Sequence, residues 1–383
     1  MADPLPQDLA HMRRALDLAH GVLYTTSPNP RVGCVIVRDG RVLGEGATQP
    51  PGGPHAEIVA LRNAQAHGHS AEGATVYVTL EPCSHHGRTP PCVDALLAAR
   101  PARVVVAMGD PNPRVNGAGL ARLRAAGIAV EVGLCLDEAL ALNPGFVARM
   151  RRGTPWTWLK LAASLDGRSA LHNGVSQWIT GREARADGHR WRARSCVVLT
   201  GMGTVLADDP RLNVRDVDTP RQPRKAVVDG RFVIPEDARL FDGTEVLVFT
   251  AKADPAKAER LARKNVKTIS MPGAEPLRVD LPGMMRWLGE HETNEVHVES
   301  GAGLSGALLR AGCVDELLAY LAPVLLGDAA GMVCLPELES LDAAQRFEFI
   351  ETLRVGDDVR LRARAAQRWQ ALRSGLDAAP PPA

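Results

Sequence analysis

Nowhere in the 383 residues do about 18 uncharged apolar residues run together, the length a helix needs to cross a bilayer. The N-terminus, MADPLPQDLAHMRRAL, has no apolar core of signal-peptide length. These two absences lead to the expectation of a cytoplasmic protein with no membrane partner. An excess of one charge is missing too, with 45 Lys+Arg against 44 Asp+Glu and a formal net charge of +1. Such a chain has no field of one sign for tracking a nucleic-acid backbone, so nucleic acid is not expected as a partner and any anionic ligand must be met locally. Cysteine is sparse, odd in number and scattered (Cys34, Cys83, Cys92, Cys135, Cys196, Cys313, Cys334), unlike a secreted disulfide framework. Metal ligation or plain burial remains.

The length exceeds what one hydrophobic core usually serves, so two domains are expected. After apolar residues at helical spacing from Leu9 to Ala19, the run VGCVIVRDGRVLGEG predicts a hairpin turning at Asp39-Gly40. A helix from Ala56 to Ala66, the strand ATVYVTLE, a helix over VDALLAA, the strand RVVVAMGD, a helix near Gly119 to Ala126 and the strand AVEVG follow. That alternation predicts a layered α/β domain over residues 1–149. The segment NPGFVARMRRGTP gains charge and turn formers and places a boundary near residue 150. Beyond it, WTWLKLAASLDG, CVVLTG, KAVVDG, EVLVFT, EVHVES and LLAYLAP read as strands, with helices near Asp254 to Lys264 and over LSGALLRAG. This predicts a second α/β domain over 150–370, and residues 371–383, ending GLDAAPPPA, have the composition of a solvated tail.

In the first domain His55-Ala56-Glu57 lies where the loop QPPGGP enters a helix, and Glu81-Pro82-Cys83 where a strand leaves the sheet; Cys92 comes after the insertion SHHGRTPP. Three ligands of this kind suit zinc, whose open fourth position takes water and lowers its pKa to about 7. Glu57, two residues from a ligand, can then move protons without occupying the metal. H-x-E followed by P-C…C is the pattern of zinc nucleobase deaminases. The usual two residues between the cysteines are replaced here by eight. A closed structural site completed by His85 or His86 is the competing account, and it leaves Glu57 without a task. The insertion also brings His85, Arg88 and Thr89 beside the metal, and an arginine with a hydroxyl suits a phosphate.

The segments TSPNPRVGCVIV, HAE and EPCSHHGRTPPC, with KLAASLDGR, SQWIT, TGMGTVLADDPRLNVR, VVDG and VESGAGLSGALL, resemble the bifunctional riboflavin-biosynthesis deaminase/reductase family from Leu9 to about Arg364. The resemblance implies a cytidine-deaminase-like three-layer domain followed by a dihydrofolate-reductase-like α/β domain. It implies zinc-dependent deamination of 2,5-diamino-6-ribosylamino-4(3H)-pyrimidinone 5′-phosphate, then NADPH-dependent reduction of the ribosyl group. The expected ligands are one Zn2+ per chain and NADPH, and the expected assembly is a homo-oligomer, dimer or tetramer. By position, Asn29 and Asn112 would line the deaminase pocket, although Asn-Pro is also an ordinary turn signal.

In the second domain Gly301, Ala302, Gly303, Leu304, Ser305, Gly306 and Ala307 follow the strand EVHVE and open a helix, the local pattern of a dinucleotide fingerprint. A Rossmann domain would need several strands after this unit, and too little chain remains. Glycine backbone and a helix N-terminus can still receive pyrophosphate. The resemblance adds Ala162, Trp178, Thr204, Asp208 and Gly230 as cofactor contacts, and Ser176, Arg192, Leu212, Arg215 and Glu299 as substrate contacts. Taken singly, each has a bland account: surface arginines, a core tryptophan, turn glycines. Lys160 sits in the apolar strand WTWLKLAAS, where a lysine is costly to bury unless it faces a pocket, and is expected to act on the opened sugar with Glu299; a snorkelling edge lysine is the alternative.

Overall fold

The computed structural model describes residues 5–85 and 90–377. The chain forms two compact units, Met1–Arg152 with Gln370–Ala383, and Gly153–Trp369. The first contains α1 (Pro6–Gly21), β1 (Gly33–Arg38), β2 (Arg41–Ala47), α2 (Ala56–Ala66), β3 (Thr75–Val78), α3 (Cys92–Ala99), β4 (Arg103–Val106), α4 (Ala118–Ala125), β5 (Ala129–Val132), α5 (Leu136–Leu142) and α6 (Pro144–Arg152). Its sheet has the order β2-β1-β3-β4-β5. β1 runs antiparallel to β2 and β3, and β3, β4 and β5 are parallel. The β1–β2 turn places both Asp39 and Gly40 at positive φ, as a two-residue hairpin requires.

Side chains alternate between the two faces of a strand. A Cβ on Gly33 would lie 1.8 Å from the carbonyl oxygen of Ala15 in α1, whereas on Gly46, paired with Cys34, it would lie 2.5 Å from the Ala60 nitrogen in α2. Backbones this close leave room only for glycine. α1 and α2 therefore cover opposite faces, and the unit has three layers. The segment expected to be a turn-rich boundary forms α6, which buries Phe146, Val147 and Ala148 and gathers Arg149, Arg151 and Arg152 in its last turn, where the helix dipole favours them.

The second unit contains β6 (Trp156–Ser164), β7 (Arg168–Ala170), α7 (Arg182–Arg194), β8 (Val197–Gly201), α8 (Met202–Asp208), β9 (Arg224–Val228), β10 (Val246–Thr250), α9 (Pro255–Ala262), β11 (Val266–Ser270), α10 (Leu281–Glu290), β12 (Glu295–Glu299), α11 (Ala302–Arg310), β13 (Glu316–Ala322), β14 (Ala330–Gly331), β15 (Glu348–Val355) and β16 (Asp358–Arg364). The main sheet has the order β11-β10-β9-β8-β12-β6-β13-β16-β15. It is parallel from β11 to β13, and the β15–β16 hairpin closes one edge antiparallel. Leu247 and Phe249 of β10 join one apolar cluster with Leu159, Leu199 and Val298, while Val246 and Val248 join another with Phe232 and Leu261. Burial on both faces is why these strands read as near-continuous apolar runs. The glycine-bearing unit β12–α11 comes late in the chain yet sits centrally, between β8 and β6, so chain order reverses around it and the carboxyl ends of these strands flank a crevice.

α12 (Ala366–Arg373) carries the chain back to the first unit. Within the segment 371–383 that was expected to be a solvated tail, Leu376 is only 1% exposed, and residues 378–383 lie outside the described residues. Among the described residues no helix is long and apolar enough to cross a membrane.

Candidate active sites

The first site stands at two helix starts and one strand exit. His55 precedes α2, Cys92 opens α3, and Cys83 follows β3. His55 Nδ1 lies 3.6 Å from Cys83 Sγ and 3.3 Å from Cys92 Sγ, and the three ligand atoms fall within 4.8 Å of one another. Tetrahedral zinc, with Zn–N of about 2.0 Å and Zn–S of about 2.3 Å, separates nitrogen from sulfur by about 3.5 Å, so the spacing fits that ion. Among the described residues these are the one group of three or more His, Cys, Asp or Glu side chains placed to share a metal. His85 is outside it, which removes it as a fourth ligand in this arrangement. Its buried Nδ1 has no hydrogen-bond partner among the described residues. His86, Arg88 and Thr89 lie outside the described residues.

The Cys83 thiol is pushed down to about 4, first by its hydrogen bond with Cys92, against burial and aided by His55; the Cys92 thiol is raised by the same sulfur pair. The two sulfurs and His55 Nδ1 converge as a set of acceptors for a cation. Glu57, in the first turn of α2, is buried, and burial pushes its carboxyl up to about 7. It can therefore hold or release a proton near neutrality.

The loop beyond β4 is fixed by a residue whose role the sequence does not announce. The Glu81 carboxylate accepts backbone N–H bonds from Asp110 (3.1 Å), Gly117 (3.0 Å) and Gly119 (3.1 Å), and Glu81 stands two residues before Cys83. An acidic residue closing an apolar strand is the signal that could have found it. Asp110, also buried and raised to about 7 by that burial, accepts the Asn112 N–H at 2.8 Å, and Asn112 Oδ1 accepts the Arg114 N–H at 3.1 Å. Asn112 thus helps shape the turn of this loop through its N–H and Oδ1. Asn29 likewise closes a turn, its N–H donating to the Thr26 carbonyl at 2.8 Å.

A cleft of about 2360 Å³ lies in the second unit. Lys160 and Ala162 of β6, Gly201 of β8, Gly230 after β9 and Glu299 of β12 line it at the carboxyl side of the parallel strands. Trp178, Thr204, Asp208, Gly301, Ala302, Gly303, Leu304 and Ala307 join it from the expected cofactor set, and Ser176, Arg192, Leu212 and Arg215 from the expected substrate set. Trp178 is not core: it is 68% exposed, with the Arg185 guanidinium 4.4 Å from its ring centre. Gly301 and Gly303 leave open space where a Cβ would stand, at the N-terminus of α11, a cradle suited to pyrophosphate. Two expected contacts do not line the cleft. Ser305 is buried with its hydroxyl donating to the Ser300 carbonyl at 3.2 Å, and a Cβ on Gly306 would lie 1.8 Å from the Cys334 carbonyl oxygen. Their small size serves packing. Gly230 does both, since it lines the cleft and a Cβ there would meet the Leu277 carbonyl oxygen at 2.0 Å.

Charge in the cleft is ordered around Glu299. Arg192 Nε and Nη2 donate to its two oxygens at 2.5 and 2.7 Å, and Nη1 donates to the Asn213 carbonyl at 2.9 Å. The Arg192 fork is thereby engaged within the protein, which suits it to holding Glu299 in place. Burial opposes ionisation of Glu299, but the Arg192 guanidinium holds its carboxyl well below the ordinary range. His297, fully buried on the same strand, places Nε2 3.2 Å from Glu299, and burial keeps its pKa low. Lys160 pairs with Glu299 across β6 and β12; burial lowers its pKa, Glu299 opposes this, and Arg192 and Arg185 add to it. The edge-lysine account therefore fails, because β6 lies between β12 and β13 in the interior of the sheet. Arg215 donates from Nη1 to Asn213 Oδ1 at 2.6 Å, and its backbone N–H donates to His189 Nδ1 at 3.1 Å.

Comparisons with known proteins fall on these two sites. Residues 5–108 match the cytidine and deoxycytidylate deaminase zinc-binding region, and residues 155–361 match the RibD C-terminal domain. The riboflavin biosynthesis protein RibD of Escherichia coli is 50% identical over 366 residues, 92% of this chain and 98% of that protein. RibD of Haemophilus influenzae is 45% identical over 368 residues, 93% of this chain and 96% of that protein. Among solved structures, Acinetobacter baumannii RibD (form 1) matches with a TM-score of 0.86 at 42% identity, over 94% of this chain and 99% of that one. A diaminohydroxyphosphoribosylaminopyrimidine deaminase/5-amino-6-(5-phosphoribosylamino)uracil reductase from Thermotoga maritima matches at 0.84 and 31% identity, over 94% and 99%. Full-length similarity at this level carries both halves together, and the chain belongs to the RibD family of bifunctional riboflavin-biosynthesis enzymes, a zinc-dependent deaminase joined to an NADPH-dependent reductase.

Proposed function

We propose that the first unit removes the 2-amino group of 2,5-diamino-6-ribosylamino-4(3H)-pyrimidinone 5′-phosphate and that the second reduces C1′ of the product's ribosyl group, in a cytoplasmic homo-oligomer. The observation that carries this is the pairing, on one chain, of a three-ligand centre beside a buried glutamate with a cleft that joins an open helix N-terminus to a cluster of cations.

His55, Cys83 and Cys92 would hold zinc, which supplies, when bound, an acidified water at its open position. Glu57 takes a proton from the attacking water and delivers it to the departing amine nitrogen; a carboxyl raised to about 7 is matched to both transfers. Asn29, Asn112 and His85 orient the pyrimidine nucleotide. In the reductase, Gly301 to Leu304 at the α11 N-terminus would hold the pyrophosphate of NADPH, which would supply the hydride when bound. Arg215 meets the substrate phosphate. Arg192 fixes Glu299, which orients the sugar hydroxyls, and Lys160 beside it gives a proton to the opened ring oxygen; its lowered pKa makes that proton easier to release.

Incubation of the enzyme with the diaminopyrimidine nucleotide, following ammonia with and without NADPH and identifying both products, tests the assignment. Ammonia release independent of NADPH, followed by NADPH-dependent ribityl product, is expected. NADPH oxidation without prior ammonia release would refute the order.

A further inference from the structure

Residues 370–377 follow the reductase in sequence but belong to the deaminase unit. Gly375, at φ 71°, ends α12 in the left-handed conformation that favours glycine and turns the chain so that Leu376 enters the interior. Arg151 of α6 clamps the end of this helix, its Nη1 donating to the carbonyls of Ala371 (3.1 Å) and Ser374 (2.6 Å). Arg373 Nε donates to Asp137 Oδ1 at 2.8 Å. A short segment is thus held at several points, more than a trailing end would need.

What it touches is the loop beyond β4. The Leu376 carbonyl accepts the Gly109 N–H at 2.8 Å. Gly109 precedes Asp110, whose N–H goes to Glu81 and whose carboxylate receives the Asn112 N–H. Glu81, Asp110, Asn116, Arg151, Gly375 and Leu376 line a small open pocket of about 180 Å³. One hydrogen-bonded path therefore runs from the C-terminal segment to Asn112, and Glu81 anchors the same path two residues from Cys83.

We infer that residues 373–377 form a strap that positions the Gly109–Asn116 loop, and with it Asn112, so that the C-terminal end of the chain sets the deaminase's affinity for its pyrimidine nucleotide. This rests on the assignment of Asn112 as a substrate contact. Leu376 acts through the loop and is a positioning residue.

The test uses the full chain, with KM and kcat for ammonia release, bound zinc, and NADPH oxidation on the deaminated intermediate. Leu376→Asp should raise the deaminase KM about five-fold, as for one lost neutral hydrogen bond, with kcat and zinc content held and the reductase unchanged. Leu376→Met should restore the KM. Asn112→Ala should raise KM to a similar extent, and the double variant should add nothing, because both changes remove one contact. An unchanged KM in Leu376→Asp, an additive double variant, or loss of zinc would overturn the inference. A normal KM in Asn112→Ala would refute the substrate assignment itself, an outcome distinct from failure of the strap, in which Asn112→Ala alone raises KM. Should Leu376→Asp not fold, a chain ending at Gly375 carries the same comparison.

Discussion

Replacing His189 by Asn tests how enclosed the reductase cleft is. His189 is 7% exposed, and burial foremost, then Arg192 and Arg215, pushes its imidazole from 6.5 down to about 4. It is therefore neutral at pH 7, with Nδ1 accepting the Arg215 N–H. A base whose pKa falls on folding binds its proton more readily in the unfolded chain, so stability is lost as pH drops from 6.5 through about 4. The full difference corresponds to about 3 kcal/mol, of which about 2.5 kcal/mol is lost by pH 4.5. All six tryptophans, Trp156, Trp158, Trp178, Trp191, Trp287 and Trp369, belong to the second unit, so urea unfolding followed by tryptophan fluorescence reports that unit alone. Asn can present an oxygen to the Arg215 N–H, and at pH 7.5 the two proteins should agree within about 1 kcal/mol. At pH 4.5 the parent should have lost about 2.5 kcal/mol more than the variant, the carboxylates common to both cancelling. Parallel stability curves would refute the reasoning and show that His189 titrates as an exposed imidazole.

Glu57→Gln should abolish ammonia release while one zinc per chain remains by metal analysis, because the proton shuttle is lost and all three ligands stay. Cys83→Ala should lose zinc and deamination but still oxidise NADPH when given the deaminated intermediate, since the two sites lie in separate units. Gly303→Val should raise the KM for NADPH about ten-fold with ammonia release normal, and saturating cofactor should partly restore the rate. Apart from its chain neighbours and the helix's own backbone, no described atom lies within 4 Å of a Cβ there, so the thermal unfolding midpoint should change little.

The metal centre is legible in the sequence because its chemistry is written in short runs at element junctions: His55 and Glu57 share one helix start, and Cys92 opens the next helix. The reductase cleft is assembled from separate strand ends, so periodicity locates the strands and only the resemblance joins them into a site. α7, which carries His189 and Arg192, escapes a reading by pattern because its buried face is polar. Asp187 is buried there by accepting from Tyr320 Oη at 2.7 Å and Arg360 Nη1 at 2.6 Å, and Arg194 by pairing with Glu295 at 3.2 Å. No hydrophobic stripe marks a helix that buries ion pairs. The β15–β16 hairpin is hidden for the same reason, since Arg362 and Arg364 of β16 look solvated until Glu316 of β13 stands opposite them at 2.7 and 3.2 Å. α10 fails differently. Its Leu281, Met284, Met285 and Leu288 have helical spacing, but Pro-Gly at its start imitates a turn, where proline in fact begins the helix behind the Asp280 cap.

On the proposed assignment, near-neutrality of the whole chain and an anionic substrate are compatible because a few cations of the cleft are placed to meet the ligand at short range. Lys160, Arg185, Arg192 and Arg215 line one cleft. Arg192 is committed to Glu299 and Asn213, and Arg185 lies over Trp178 and donates to the Thr180 carbonyl at 2.7 Å. Among the described residues the Arg215 guanidinium donates to Asn213 Oδ1, which leaves most of its fork for the phosphate proposed for it. The two fixed arginines line the walls, and burial foremost, with their charge adding to it against Glu299, lowers the pKa of Lys160. Recognition so proposed rests on short-range geometry rather than a long-range field, which is what a formal net charge of +1 allows.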